Sequence, residues 1–161
     1  MQTPNPKVPP VPEMVGATSA PFYLGKFPTY ISLPVHAPTG PALLHADPKL
    51  RRVYLSIENI TSNERAPSYV VYLNLPPGDE PGKRPDLRAG VLAMFGLEES
   101  SRADGEHPGN GLTYSLDVTE LFARLAAARD WDARSLRVHF VPRPWDGAVK
   151  VQIGRVSLYF E

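Results

Sequence analysis

The sequence predicts an all-β protein: a Greek-key antiparallel β-sandwich or barrel of seven or eight strands, with one short α-helix at about residues 118–128. Three observations support this fold class. Apolar residues alternate with polar ones along most of the chain, as in a sheet with one buried face. Segments rich in proline, glycine and aspartate separate the alternating runs, as turns do. A convincing helical spacing of apolar residues occurs in one segment.

Seven alternating runs define the expected strands. Successive side chains of a strand point to opposite faces, so the apolar residues of each run share one face. The Asp146-Gly147 pair between the last two runs is typical of a hairpin. In chain order the apolar residues of the runs are Ile31, Leu33 and Val35; Val53, Leu55 and Ile57; Tyr69, Val71, Leu73 and Leu75; Val91, Ala93 and Phe95; Leu112, Tyr114 and Leu116; Leu136, Val138 and Phe140; and Val149, Val151 and Ile153.

The last run changes its alternation at Gly154. Val151 and Ile153 precede this glycine in one phase, whereas Val156 and Leu158 follow it in the other. Keeping both sets of side chains inside requires one extra residue. We therefore expect a β-bulge or bend near Gly154.

The helix is predicted to begin at Asp117, which lies three residues before Glu120. This spacing is that of a capping box, in which the Asp117 carboxylate accepts the amide of Glu120 and the Glu120 side chain reaches back. The apolar residues that follow form one stripe, which we expect to cover an open end of the sandwich. They are Val118, Leu121, Phe122 and Leu125.

The chain is expected to divide into a proline-rich linker or arm, residues 1–18, and a single β-sandwich domain, residues 19–161. Five prolines lie within residues 1–12, and they favour an extended conformation because they cannot donate backbone hydrogen bonds to a sheet. A chain of 161 residues buries roughly two thirds of its unfolded surface, so its core needs neither a disulfide nor a metal.

Composition argues against several classes of function. The chain has no cysteine, so disulfides, thiolate metal ligands and thiol nucleophiles are excluded. Basic and acidic residues balance to a formal net charge of zero, whereas a nucleic-acid partner favours a basic excess. No apolar run reaches the roughly 20 residues of a membrane span, and no signal segment is recognisable. The expected location is therefore cytoplasmic by default.

Three segments carry a resemblance to a known family through their order and spacing. They are Pro12 to Thr18, Ala89 to Gly96, and Leu112 to Phe160. Together they resemble the C-terminal β-domain that follows the copper domain in polyphenol oxidases, tyrosinase-like proteins and molluscan-type hemocyanins. The resemblance implies a domain that covers a type-3 copper site without supplying a ligand. Since residues 1–161 contain no helical copper domain, the copper is expected in a partner domain or subunit, in cis or in trans.

The histidines do not suggest a metal centre in this chain. A type-3 dicopper site needs more histidine ligands, mostly on helices, than the four present here. The sequence spacing does not exclude a mononuclear metal site built from His36, His45 and His107, but scattered surface histidines are the favoured interpretation. His139 alternates with apolar neighbours and is expected on the wetter face of its strand. No cofactor is expected to bind this chain.

Motifs of hydrolytic and nucleotide-dependent enzymes are missing from the sequence. There is no Gly-x-Ser-x-Gly elbow and no phosphate-binding glycine loop. The acidic residues Glu98, Glu99, Asp104 and Glu106 belong to a segment typical of a solvated loop. We therefore expect no catalytic residue.

Surface recognition is the function that the sequence favours, with Met94, Phe95, Leu97 and Trp145 as candidate contacts and residues 98–99 at their rim. By alternation Phe95 is expected in the core, in phase with Val91 and Ala93, whereas Met94 and Leu97 are harder to bury. Trp145 is expected to be exposed at a hairpin or to pack over the sandwich edge.

These observations favour a non-catalytic shielding, placeholder or assembly domain of a type-3 copper protein. The alternative is an independent β-sandwich module that binds proteins or glycans and has no copper partner. A self-sufficient oxidase or hydrolase is disfavoured, because the ligands and motifs for it are missing.

Overall fold

The structure, a computed structural model, describes residues 11–36, 51–128 and 134–161, apart from the side chain of His107. The strands are β1 (Glu13–Ala17), β2 (Phe22–Leu24), β3 (Thr29–Pro34), β4 (Val53–Thr61), β5 (Tyr69–Leu73), β6 (Arg88–Leu92), β7 (Ala103–Asp104), β8 (His107–Pro108), β9 (Leu112–Asp117), β10 (Ser135–Pro142) and β11 (Val151–Phe160). The α-helices are α1 (Leu97–Ser100) and α2 (Thr119–Ala127), and single 3₁₀ turns span Pro81–Lys83 and Pro85–Leu87.

Two antiparallel sheets form the body of the molecule. The first has the order β1-β11-β4-β9, and β2 pairs with the other half of the same edge of β11. The second has the order β3-β10-β5-β6. Because β1 and β2 share one position, the sheets together have eight strand positions. The predicted all-β antiparallel sandwich is confirmed, and the barrel alternative is not adopted.

The core lies between the two sheets, and alternation places it correctly in the central strands. Val53, Leu55 and Ile57 of β4 are buried, as are the alternate residues 136, 138 and 140 of β10. Gly90 of β6 lies close to the first sheet, because an added Cβ would lie 2.9 Å from the Leu116 side chain of β9.

Strand β1 lies inside the segment 1–18 that was predicted as an arm. Its residues pair with the last strand, from Glu13 opposite Phe160 to Ala17 opposite Ser157. This pairing joins residues 13–17 to the first sheet.

The expected irregularity near Gly154 is shared between two strands. Buried residues change phase in β11 between Ile153 and Val156, and in β4 between Ile57 and Ile60. Because both strands change together, their mutual register stays constant. The register shift occurs on the other side of β4, against β9.

Helix α2 confirms the predicted helix at 118–128, but its cap differs from the expected capping box. The helix begins at Thr119 and its N-cap is Val118. Glu120 is therefore two residues after the N-cap, whereas a capping box requires three. The Asp117 carboxylate instead accepts the Thr119 amide at 3.0 Å and the Thr119 hydroxyl at 2.6 Å. Leu121 and Leu125 are buried, and Phe122 is partly buried against the core.

The strand directions define two ends of the sandwich. Four connections meet at one end, which we name the loop end: residues 25–28, 62–68, 93–111 and 143–150. The opposite end, which we name the helix end, carries α2, the β5–β6 connection and the first residue of β1. None of the helices in the described ranges is long and apolar enough to cross a membrane.

Candidate partner-binding site

Phe95 lies at the apex of a tight turn that follows β6. The Leu97 amide donates to the Met94 carbonyl at 3.2 Å, and Gly96 adopts φ 78° and ψ 8°. These angles are typical of the third residue of a type II turn and favour glycine. Phe95 therefore occupies the second position, where its ring points away from the turn and is 96% exposed.

The residues on both sides of Phe95 anchor the turn in the core. Met94 is 9% and Leu97 is 1% exposed. The Ser101 hydroxyl donates to the Leu97 carbonyl at 2.6 Å and accepts the Ser62 amide at 3.0 Å. The Tyr114 hydroxyl donates to the carbonyl of Ala93, just before the turn. The exposed ring thus stands on a backbone held from several directions.

The predicted burial of this segment is wrong in phase. Phe95 was expected inside with Val91 and Ala93, but Leu92 and Met94 are the buried residues. Regular alternation ends with β6 at Leu92, and a turn need not keep the period of two that a strand imposes.

Trp145 lies on a different loop of the same end, between β10 and β11, and is 38% exposed. Together with the Phe95 turn it lines a groove of about 600 Å³. The structure thus brings together the four residues singled out in the sequence, although the two segments are about 50 positions apart: Met94, Phe95, Leu97 and Trp145. Two of them, Met94 and Leu97, support the groove as buried residues rather than as exposed contacts.

Charges around the groove are balanced. Arg65 and Arg143 line it together with Glu98 and Glu99, the two residues expected at its rim. Two cations and two anions give a formal sum of zero, as for the whole chain. The groove therefore offers little long-range electrostatic attraction to a charged partner.

Phe27 is an exposed aromatic residue of the loop end that the sequence argument missed. It is 78% exposed and lies on the connection between β2 and β3. The local sequence Gly25-Lys26-Phe27-Pro28 carried a usable signal, because an aromatic residue between a glycine and a proline is likelier to lie in a turn than in a strand.

The described residues do not fit a copper site. Among them, no three His, Asp or Glu side chains lie close enough together to hold a metal ion. His36 is exposed at the end of β3, whereas His45 and the His107 side chain lie outside the described residues.

His139 lies on the outer face of the second sheet, as alternation predicted, but it is half-buried there. Its ring stacks on Tyr30, with 5.4 Å between ring centroids. Burial lowers the pKa of His139 to about 4, and the positive charge of Arg137 contributes. The imidazole is therefore neutral at physiological pH and serves packing.

Comparisons with known proteins place this fold in context. A family model described as a domain of unknown function, DUF7868, matches residues 11–161. Over 165 residues the sequence is 32% identical to tyrosinase HcTyr1 of Hahella sp. (strain CCB-MM4), a match that covers 99% of this chain and 34% of that protein. The chain thus spans about a third of the length of this curated relative.

Solved structures of a latent aurone synthase, a polyphenol oxidase, share the fold. One recombinant form superposes with a TM-score of 0.58 at 16% identity, covering 89% of this chain and 26% of that protein. A second gives a TM-score of 0.56 at 18% identity with the same coverage. The matched part is the C-terminal domain, so the resemblance read from the sequence is confirmed.

Proposed function

This chain belongs to the DUF7868 family of domains, and we propose that it is the non-catalytic covering domain of a type-3 copper protein of the tyrosinase class. The observation that carries the proposal is the Phe95 turn. Phe95 is 96% exposed between the buried residues Met94 and Leu97, and it lines one groove with Trp145. An exposed ring on such an anchored turn has the form of an aromatic anchor for a partner.

The energetics favour an occupied state for this turn. Burying a phenylalanine side chain contributes about 1.5–3 kcal/mol, and the anchored backbone limits the entropy lost on binding. Residues at the centre of an interface gain most when a rim excludes water from them. The side chains at 98–99 and Arg143, which line the same groove, are positioned to form such a rim.

The copper belongs to the partner in this proposal. The tyrosinase relative is matched over 34% of its length, which leaves the larger part of that protein outside the match. In the proposed complex Phe95 enters the mouth of the copper site as a placeholder and keeps phenolic substrates out. The copper domain supplies the oxidation chemistry, and the residues of this chain exclude substrate and water.

The proposal is tested with the part of Hahella sp. tyrosinase HcTyr1 that lies outside the match, loaded with copper and used only once its own diphenol oxidation shows that it is folded. Purified chain is added in trans, and the rate of diphenol oxidation is measured against substrate concentration. We expect the chain to raise the apparent KM more than it lowers kcat, because it competes with substrate for the site mouth. Phe95→Ser should lose this inhibition. Absence of inhibition by the unaltered chain at a concentration at which it binds would contradict the covering role.

A glycan-binding module is the second candidate, and one observation favours it. Two aromatic rings beside arginine and glutamate side chains also suit a sugar, whose apolar face stacks on rings while its hydroxyls bind charged groups. Glycan-array binding that Phe95→Ser and Trp145→Ser abolish, without any effect on diphenol oxidation, would favour this candidate over the covering role.

A further inference from the structure

We propose that the docking surface extends beyond the groove to Phe27, so that Phe27, Trp145 and Phe95, from three different loops, form one aromatic face that binds the copper domain. This inference rests on the proposed function and deepens it, because it defines how much of the loop end the partner covers.

Strand order places the three aromatic residues at one end of the second sheet, the loop end. Phe27 precedes the start of β3 at Thr29, Trp145 follows the end of β10 at Pro142, and Phe95 follows the end of β6 at Leu92. The registers show that these strand ends lie at the same end of the sheet. The order β3-β10-β5-β6 and a strand spacing of about 4.8 Å put the outer two of these strand ends about 14 Å apart.

The loop that carries Phe27 is anchored in the same manner as the Phe95 turn. The Tyr69 hydroxyl, from a fully buried residue at the start of β5, donates to the Gly25 carbonyl at 2.8 Å. Burial raises the pKa of Tyr69 to about 12, so this donor keeps its proton at every physiological pH. Leu24, just before the loop, is 1% exposed. Phe27 is therefore exposed at 78% on a fixed base.

The size of this face suits a protein partner. Aromatic side chains present roughly 150–250 Å² each, so these three at their observed exposures offer on the order of 400 Å². That is about half of the ~800 Å² that one partner buries in an interface of standard size. At the opposite end of the sandwich, one groove beside α2 is instead lined by four arginines: Arg51, Arg52, Arg88 and Arg124.

The copper domain is the occupant that these observations favour. The match covers 99% of this chain and 34% of a protein named as a tyrosinase. In that protein the matched segment is therefore joined to a larger remaining part, which we propose to be the copper domain that it contacts. The balanced charge of the groove predicts apolar docking. Affinity should therefore change less than about threefold between about 50 and 500 mM salt.

The test measures the dissociation constant between the full chain and the copper-loaded part of tyrosinase HcTyr1 outside the match, by calorimetry or biolayer interferometry. We expect Phe27→Ser to weaken binding by about tenfold or more. Val11→Ser is the matched control, since Val11 is 80% exposed but lies before β1 at the helix end. It should change the constant less than about twofold.

The outcomes separate the two proposals. If the unaltered chain does not bind, the proposed function fails and this inference fails with it. If the chain binds, and Phe95→Ser weakens binding while Phe27→Ser resembles Val11→Ser, the proposed function stands and the extended surface is wrong. If Phe27→Ser instead turns a dimer into a monomer in sedimentation without changing copper-domain binding, the face serves a second copy and the inference is also overturned. A chimera in which this chain replaces the matched third of HcTyr1 provides a second measurement. In this chimera Phe27→Ser should raise the rate of diphenol oxidation above that of the unaltered chimera, because it weakens the covering of the copper site.

Discussion

Gly154 of β11 lies against Asn59 of β4 so closely that an added Cβ on Gly154 would be 2.7 Å from the Asn59 Cβ. Asn59 itself has a positive φ of 53°, and its side-chain amide donates to the Asn110 carbonyl at 3.2 Å. This contact is the point at which both strands turn their buried residues from one phase to the other. A glycine opposite a left-handed asparagine lets two paired strands bend together and keep their register.

The first prediction concerns this contact. Gly154→Ala should destabilise the fold by about 1–3 kcal/mol, because the new methyl group overlaps Asn59 and the strands must separate or shift. Gly82→Ala is the control, since no atom lies within 4 Å of an added Cβ there. Urea denaturation of both variants measures the difference. Equal midpoints for the two would mean that the strands adjust without cost.

The second prediction concerns the start of α2. Asp117→Ala should cost about 1 kcal/mol, because Asp117 accepts both the amide and the hydroxyl of Thr119. These two hydrogen bonds also lower the pKa of the Asp117 carboxyl. Glu120→Ala should change stability by less than about 0.5 kcal/mol, since the helix start does not form a capping box. If denaturant titrations show a larger loss of stability for Glu120→Ala than for Asp117→Ala, the predicted capping box is correct after all.

Sequence alternation predicted the fold class and the central strands because the pleat of a strand directs alternate side chains into the space between the two sheets. It failed where the chain leaves regular structure. The turn at Met94 to Leu97 depends on Gly96 in the left-handed region, which alternation does not report. At Gly154 alternation located the phase change, but it did not reveal that β4 changes phase together with β11 through the contact with Asn59.

The four contact residues predicted from the sequence line one groove, because the two loops that carry them follow strands of one sheet at the same end of the sandwich. The prediction of which side chains face solvent was wrong, since Met94 and Leu97 are buried and Phe95 is exposed. Phe27 was missed although Gly25 and Pro28 mark a turn around it, because its place at the loop end depends on the strand order.

The third prediction concerns pH. Burial lowers the pKa of His139 from 6.5 to about 4 in the folded state. As the pH falls from about 6.5 towards about 4, the unfolded chain takes up a proton that the folded chain does not. Stability should therefore fall across this window and not above it. The difference corresponds to about 3 kcal/mol without screening, and solvent around the half-buried ring reduces it to ~1–2 kcal/mol.

The control for this pH effect is His139→Gln, which keeps a polar side chain of similar reach without the titration. Chemical denaturation at several pH values between about 4 and 7 should show a smaller slope for the variant than for the unaltered chain. Carboxylates such as Glu58, whose pKa the Arg155 hydrogen bond lowers, add an acid loss common to both proteins. Identical slopes would show that His139 takes up its proton in the folded state as readily as in the unfolded chain.

The last prediction separates the two roles within the 94–97 turn. Leu97→Ser should lower the free energy of unfolding by about 2–5 kcal/mol, because it removes a side chain that is 1% exposed and leaves a hydroxyl in its place. Phe95→Ser should leave the melting temperature within about 2 °C of the unaltered chain, because that ring is solvated before binding.

In the diphenol oxidation assay the two variants should rank in the opposite order, with Phe95→Ser the more impaired inhibitor. Phe95→Ser should abolish inhibition although it is fully folded, whereas Leu97→Ser should inhibit in proportion to its folded fraction at the assay temperature. Phe95→Leu should inhibit to an intermediate degree, since it retains part of the apolar area. If Phe95→Ser is as stable as the unaltered chain and inhibits as strongly, the exposed ring has no part in covering the copper site.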